Sequence, residues 1–461
     1  MPQAGSRTYA EPFGIFQTCT LSDMNPTQRP YCPPWRSPSF ERVAGLWMAA
    51  VLAVLPGTGA TQSLQQVVQK SLTDYPSVSA ARHQGEAARA DVGRARSAHW
   101  PQLTWSARHA SHLAAGMQHR WFQTPELRLN LWSGGRISAD VERAQALASA
   151  SQQQQHITRD EVALLSSQAY WQWAYQRDML DLAQRNLATH RRILGDFEII
   201  AQVDSGRRID LDQARVRHDN AQLIWLKSQT DLDAAAQNLQ RMLMAPVPAE
   251  PTGLDFALPT PHADLAQAQQ DLNEQHPVLA QWLAQRDAAE ASVRFARAQK
   301  APTLNVSHAR MGTPGLEDMR FVTQLQLSWP LLDGGSAHWA EAAAQARVLD
   351  IESQLQEVRL VLNEQLVNAW NDWQSAIARG LLGQQQTLTA EALAAGYAQQ
   401  FRVGRRALLD LLNIQSDLYT YQSAALTARH QARTAQARML ATLGRLADAF
   451  AAAPDSSTTR K

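Results

Sequence analysis

The chain has 461 residues, with 43 Lys and Arg against 42 Asp and Glu, for a formal net charge of +1. That balance excludes the basic footprint of a nucleic-acid binder and the charge block of an acidic tail. A mean hydropathy of −0.36, with Ala and Gln concentrated in long stretches free of Pro and Gly, suits long water-exposed helices better than a dense globular core.

Residues 1–60 read as an N-terminal extension and signal peptide. Arg36 and Arg42 come before an apolar run from Val43 to Leu55, and Pro56-Gly57-Thr58-Gly59-Ala60 follows it. A basic region, a short apolar run and a small-residue site make a secretory signal, with cleavage expected after Ala60. The run is too short for a spanning helix, which needs about 20 residues. A buried helix of a cytosolic protein is the competing reading. The polar stretch before Arg36 leaves both Met1 and Met24 open as the start. Cys19 and Cys32 lie upstream of the cut, so the mature chain is expected to carry no disulfide, no thiol chemistry and no cysteine for a lipid anchor.

A first structural repeat is expected over 61–245. Ser63 to about His99 has helical periodicity and ends at Pro101, because proline lacks the N–H that continues a helix. Leu103 to Ala107 and Leu127 to Leu131 alternate apolar and polar residues. That pattern fits strands with lipid on one face and water on the other, or an ordinary hairpin packed on a helix. After Ser133-Gly134-Gly135, the stretch from Ile137 to about Gln202 contains no proline and only Gly195. Some 65 helical residues would reach roughly 100 Å, rare for a globular protein. A break at Ser205-Gly206-Arg207 precedes a heptad with seam positions Leu211, Ala214, His218, Ala221, Trp225, Ser228, Leu232, Ala235, Leu239 and Met242, the mark of coiled-coil packing. Residues 246–262, rich in proline, read as a linker with little regular structure.

The second repeat, 263–447, says nearly the same thing 200 residues later. Pro277 and Pro302 match Pro76 and Pro101; Asp333-Gly334-Gly335 matches the first Gly-Gly turn; Ala369 and Trp373 match Ala169 and Trp173. Strands are expected within 303–331, a long helix from Ala337 to about Val403, and a break at Val403-Gly404-Arg405. A second heptad then runs through Leu411, Ile414, Leu418, Tyr421, Ala425, Ala428, Ala432, Ala435, Met439 and Thr442. The tail, 448–461, reads as disordered. Each repeat is thus helix–strand–strand–helix, and its lone hairpin is too small to be a sheet of its own. Such a hairpin calls for partners from other chains.

The sequence holds no glycine-rich phosphate loop, no Cys/His metal cluster and no nucleophile elbow, so neither an enzyme nor a cofactor is expected. His109, His112 and His119 fall in the first hairpin and read as solvated loop residues. Trp105, Trp121, Phe122 and Trp132 also cluster there, as a membrane-interface girdle or as hairpin core. His218 sits on a heptad seam as a packed polar residue.

The signal peptide, the duplicated unit, the proline at each helix-to-strand junction and the Gly-Gly at each strand-to-helix turn resemble the TolC family of outer-membrane factors. The most specific stretch is FRVGRRALLDLLNIQSDLY from Phe401 to Tyr419, with a weaker echo, SGRRIDLDQAR, from Ser205. The resemblance implies a mainly α protein with a small membrane β-barrel. Three copies would each give four strands to one 12-stranded barrel in the outer membrane, and long helices would form a periplasmic tube. Three copies also remove the open sheet edge that lipid forbids. It implies a passive duct that docks with a periplasmic adaptor (membrane fusion) protein and an inner-membrane ABC exporter or other pump. The second repeat looks most like members serving type I secretion of a polypeptide, with drug or metal efflux as the alternative; a soluble periplasmic coiled-coil scaffold is the rival from another class. Carried over residue by residue, the periplasmic gate falls on Arg406, Asp410 and Asp210, with Asp212 in place of Asp210 still open. The adaptor-docking tips fall on Gly206, Arg207, Gly404 and Arg405. Phe401 stands where a gate tyrosine would bond, and Asn413 where a second ring aspartate would lie. An ordinary surface ion pair is the competing account of Arg406 and Asp410.

Overall fold

The computed structural model describes residues 63–110, 120–252, 258–259, 264–273, 275–311 and 320–452. The signal-peptide reading, both cysteines, His112, His119 and the tail beyond Ala452 lie outside these residues. In chain order the elements are α1 (Leu64–Asp74), α2 (Pro76–Ser97), β1 (Gln102–Ala110), β2 (Arg120–Trp132), α3 (Arg136–Val203), a 3-10 turn (Ser205–Arg207), α4 (Arg208–Leu243), α5 (Leu265–Gln270), α6 (Pro277–Ala298), β3 (Thr303–Met311), β4 (Arg320–Ser328), α7 (Ser336–Arg402), α8 (Leu408–Thr442) and α9 (Leu446–Ala452).

Two elements depart from the sequence expectation. The helix expected from Ser63 to His99 breaks at Tyr75, which adopts an extended conformation (φ −69°, ψ 133°) ahead of Pro76 at the first position of α2; proline starts a helix well and continues one badly. The ordered chain also runs past 447. Residues Leu446–Ala452 form α9, because Phe450 is wholly buried in a cluster with Leu64, Val67, Leu239, Met242 and Leu440.

The heptads appear as the spacing predicts. None of the ten seam residues of α4, nor of the ten of α8, is exposed. Seven-residue spacing on α7 buries Leu355, Leu362, Ala369, Ala376, Gly383 and Ala390. Gly383 is needed for close approach: a Cβ there would meet Cα and Cβ of Ala425 on α8 at 3.3 Å.

The strands form one antiparallel sheet in the order β1-β2-β3-β4, so the two hairpins pair with each other through β2 and β3. Register places Leu103 opposite Leu127, Leu129 opposite Val306, and Val306 opposite Leu325 on one face. The other face carries Thr104 opposite Glu126, Arg128 opposite Ser307, Asn130 opposite Asn305, and Asn305 opposite Gln326. Period-2 alternation therefore separates an apolar face from a polar one across all four strands. Leu103, Trp105, Leu127, Leu325 and Leu327 are exposed on the apolar face, an arrangement suited to lipid rather than water. Exposed Trp100, Trp132, Trp329 and Trp339 lie around the helix-side ends of the strands.

The helices repeat the order of the sheet. Near it α3 packs between α2 and α6, and α6 meets α7; farther away α3 packs between α4 and α8, and α8 meets α7. Sheet and both helix layers are thus open at the same two edges: β1 with α2 and α4, and β4 with α7. No described helix is long and apolar enough to cross a membrane.

Candidate functional site

The two turns far from the sheet bring together the residues singled out at the breaks. They are built differently. At the first, Asp204 Oδ1 accepts from the Gly206 N–H at 2.9 Å and holds a 3-10 turn in which Gly206 has no positive φ. At the second, α7 ends on Gly404 at φ +72°, and the Arg405 N–H donates back to the Gln400 carbonyl at 2.9 Å. A left-handed residue with a 6→1 bond is a Schellman stop, and glycine fits it best.

Beneath the turns a single apolar cluster ties the repeats together. Ile193 and Phe197 from α3, Ala214 from α4, and Leu408, Leu411 and Leu412 at the start of α8 are buried, with Tyr397 and Phe401 of α7 packed on them. Phe401 therefore does more than lose a hydroxyl: its ring lies 5.6 Å from that of Phe197. Asn413 also gains a role, because its Oδ1 accepts from Arg217 Nη2 at 3.3 Å across the repeats.

The charged residues are divided between the turns. Arg406 donates to Gln400 Oε1 at 3.1 Å and to Asp410 Oδ2 at 3.4 Å, and its guanidinium sits 4.3 Å from the Tyr397 ring centroid. Asp210 is held by Arg207 at 3.0 Å, and Asp212 lies 3.7 Å from Arg215. Within one chain, among the described residues, no bond joins Arg406 to Asp210. The Arg406–Asp410 pair is 38% and 43% exposed, so inside a single copy it is a surface pair contributing at most about 1 kcal/mol. Val203, Ile209 and Val403 are exposed beside the turns, leaving apolar surface next to Arg207 and Arg405.

Sequence spacing missed several of these contacts. His190 on α3 is buried, its Nδ1 has no partner, and burial, with Arg217 and His218 nearby, lowers its pKa to about 4. His218 is packed on the seam and bonds to Asp219 at 3.1 Å. The four-three spacing of Ala390, Ala394, Tyr397 and Phe401 on α7 was the available signal for the tip cluster. Nothing in the pattern marks His190. Among the described residues no group of three or more His, Cys, Asp or Glu is placed to hold a metal ion.

The family model described as "Outer membrane efflux protein" matches residues 67–244 and 268–445. The chain is 23% identical over 421 residues to "Outer membrane efflux protein BepC" of Brucella suis biovar 1, covering 88% of this chain and 91% of that one. It is 26% identical over 290 residues to "Alkaline protease secretion protein AprF" of Pseudomonas aeruginosa, 59% of each. Among solved structures, CusC, studied for folding and transmembrane channel formation, superposes with a TM-score of 0.73 at 17% identity, covering 83% of this chain and 92% of that one.

Proposed function

Because this chain belongs to the outer membrane efflux protein family, we propose that it is the outer-membrane duct of a tripartite export machine, closed from three copies of itself. One observation carries this reading: the sheet and both helix layers are open at the same two edges. Ile209, Val216 and Leu223 form an exposed stripe on α4, and Leu360, Leu381 and Leu388 one on α7. Each of these residues lies two positions before a residue of the seven-residue series that runs through the buried seam of its own helix. At 3.6 residues per turn that is about 200° round, so the stripes face away from the chain. Joining the α4 edge of one copy to the α7 edge of the next is a head-to-tail contact, and such contacts close into rings. Three copies is the number the family resemblance implies.

The duct catalyses nothing and needs no cofactor. Its apolar sheet face meets outer-membrane lipid; its polar face lines the pore. The turns at Gly206, Arg207, Gly404 and Arg405, with the apolar residues beside them, meet a periplasmic adaptor, and an inner-membrane ABC exporter or other pump supplies energy. The first-choice cargo is a polypeptide: the run from Phe401 to Tyr419 supports it, as does a relative named for protease secretion. Drug or metal efflux is the second reading, supported by a relative named for efflux.

The gate follows from the same edges. Arg406 lies between α7 and α8, and Asp210 at the start of α4, so a ring brings Arg406 of one copy toward Asp210 of the next. The expected bond is charge-assisted and worth about 1.5–3 kcal/mol, made three times. Asp410 adds negative charge at the entrance. Detergent-purified protein should have the mass of three chains and form pores in planar bilayers, and Arg406→Ala should raise single-channel conductance. A water-soluble, non-conducting monomer would end the duct reading. Unchanged conductance in intact Arg406→Ala trimers would end the gate alone.

A further inference from the structure

The two repeats are built to one plan. β1 and β3 have 9 residues each and begin 201 residues apart, as do α2 and α6, with 22 residues each. α3 and α7 begin 200 residues apart. Hairpin register obeys the same offsets: Gln102 opposite Arg128 and Ala107 opposite Gln123 in the first repeat become Thr303 opposite Ser328 and His308 opposite Thr323 in the second. The chain also holds one junction between the repeats, where β2 pairs with β3. A head-to-tail ring needs that junction again between copies, with β4 in the place of β2 and β1 of the next copy in the place of β3.

Within the chain Leu129 lies opposite Val306 and Asn130 opposite Asn305, and after a one-residue bulge Trp132 lies opposite Leu304. Moved by the two offsets, Trp329 faces Trp105 of the next copy, Pro330 faces Thr104, and Leu332 faces Leu103; one step earlier Ser328 faces Ser106. Exposure matches this placement. Leu129 and Val306 are half-buried partners. Their counterparts at the open edges, Trp329 and Trp105, are 58% and 64% exposed in one chain, and Leu332 and Leu103 are 96% and 75% exposed. Leu332 belongs to no strand or helix, so nothing in its own chain accounts for an apolar side chain there.

The edges also lack a bond that the inner junction has. Asn130 Nδ2 donates to Asn305 Oδ1 at 2.8 Å, whereas Pro330 has no polar side-chain atom to offer Thr104. Aromatic and apolar cross-strand pairs are the available substitute, since rings placed opposite each other contribute beyond their buried area. Space allows for it. A side chain on Gly134 would collide with Ala301, the counterpart of Trp100, whereas Gly334 has open space around it, room for Trp100 of the next copy.

We infer that Trp329 and Leu332 of one copy close on Trp105 and Leu103 of the next, an apolar clasp that sets the strand register between copies. This rests on the ring proposed for the duct. A one-residue slip would turn one strand's side chains to the opposite face, and a two-residue slip would part the rings.

Cysteine pairs in the full-length protein, in outer membranes, test the register. Ser106→Cys with Ser328→Cys should cross-link neighbouring copies under copper–phenanthroline, because paired residues on antiparallel strands lie about 4.5–5.5 Å apart at Cα, inside a disulfide's span. Thr104→Cys with Ser328→Cys, about 7–8 Å apart on the diagonal, should yield roughly tenfold less covalent dimer and trimer. Trp105→Ala and Trp329→Ala should each lower the temperature at which the trimer comes apart in SDS, and the double variant should lower it by less than the two shifts added. The cysteine pairs keep both rings, so they decide the register even if an alanine variant fails to assemble. Pore-forming trimers that cross-link as well or better through the slipped pair overturn the register and leave the duct standing. Shifts that add in full overturn the clasp, each ring then meeting lipid alone. A non-conducting monomer removes the duct reading and this inference with it.

Discussion

The rings of Phe197 and Phe401 lie 5.6 Å apart, tilted by 35°, and join the long helix of the first repeat to that of the second at the tip. An aromatic pair needs no hydrogen bond to hold it, and contributes beyond its buried area by about 0.5–1.5 kcal/mol. This part of the intra-chain tie at the tip is therefore apolar and insensitive to salt. Phe401 is only half-buried, so Phe401→Ala should cost about 2 kcal/mol, below the range for a fully buried ring. Trimers of that variant should open more readily, conduct more and be cut faster by trypsin at Arg405 and Arg406. Phe401→Tyr should change little. Wild-type conductance and cleavage in Phe401→Ala would show that the rings do not hold the tip.

The two tips should respond unequally to a side chain at their glycines. Gly404 is left-handed at φ +72°, and an added Cβ costs about 1–2 kcal/mol there. Gly206 has ordinary φ; its Cβ would meet only Asp204 Oδ1 at 3.1 Å, a side-chain atom that can move at the expense of one exposed hydrogen bond. Gly404→Leu should abolish export and adaptor cross-linking while trimers remain in the membrane. Gly206→Ala should leave export close to wild type. Equal loss in both would mean that the turns matter by surface rather than by backbone conformation.

Most of the frame could be read from the sequence because its signals are periodic. The heptads through Leu211 and Leu411 marked which faces of α4 and α8 are buried, and the alternation around Leu127 and Leu325 marked an apolar and a polar face of the sheet. Local chemistry at single positions could not be read so well. Val-Gly-Arg and Ser-Gly-Arg look alike as breaks, yet Asp204 caps one into a 3-10 turn while the other stops on a left-handed glycine. Nor does spacing reveal that Asp160 or His190 is buried, because α3 is packed from several sides and its buried residues follow no single stripe. The pairing of β2 with β3 links residues some 175 positions apart, which no local pattern encodes.

The polar sheet face should set the barrel's ion preference. Its charges include Glu126 and Arg128, joined at 2.8 Å, and Arg320, which the register places on the same face as Gln324 and Gln326. Glu126→Gln should leave Arg128 without its carboxylate in each copy and move the reversal potential toward anions, and Arg128→Gln should move it toward cations. Across the sheet, Leu325→Arg faces lipid and should destabilise by up to about 2–4 kcal/mol at mid-bilayer depth, whereas Gln326→Arg on the pore face should be tolerated. Selectivity unmoved by either charge change would place the pore on the other face.

Asp160 should make stability depend on pH in an unusual direction. Its Oδ1 accepts from the Ala447 N–H at 2.7 Å and so tethers the start of α9 to α3. Burial, only partly offset by that bond, raises its pKa from 3.8 to about 6. A carboxyl whose folded pKa is raised holds its proton in the native state where the unfolded chain has lost it. Its contribution is thus full below about pH 4, falls as pH rises toward 6, and levels off above. A shift of about two units corresponds to about 3 kcal/mol. His190 and His430, both lowered to about 4, act oppositely, since their stability is lost as pH falls from 6.5 through 4. Comparing wild type with Asp160→Asn removes their effect from the difference. The asparagine keeps the accepting oxygen and sheds the buried charge. Unfolding measured from pH 4 to 8 should give a variant no more stable than wild type at pH 4 and up to about 3 kcal/mol more stable at pH 8. A difference that stays constant across that range would mean that Asp160 is ionised in the folded chain at no cost.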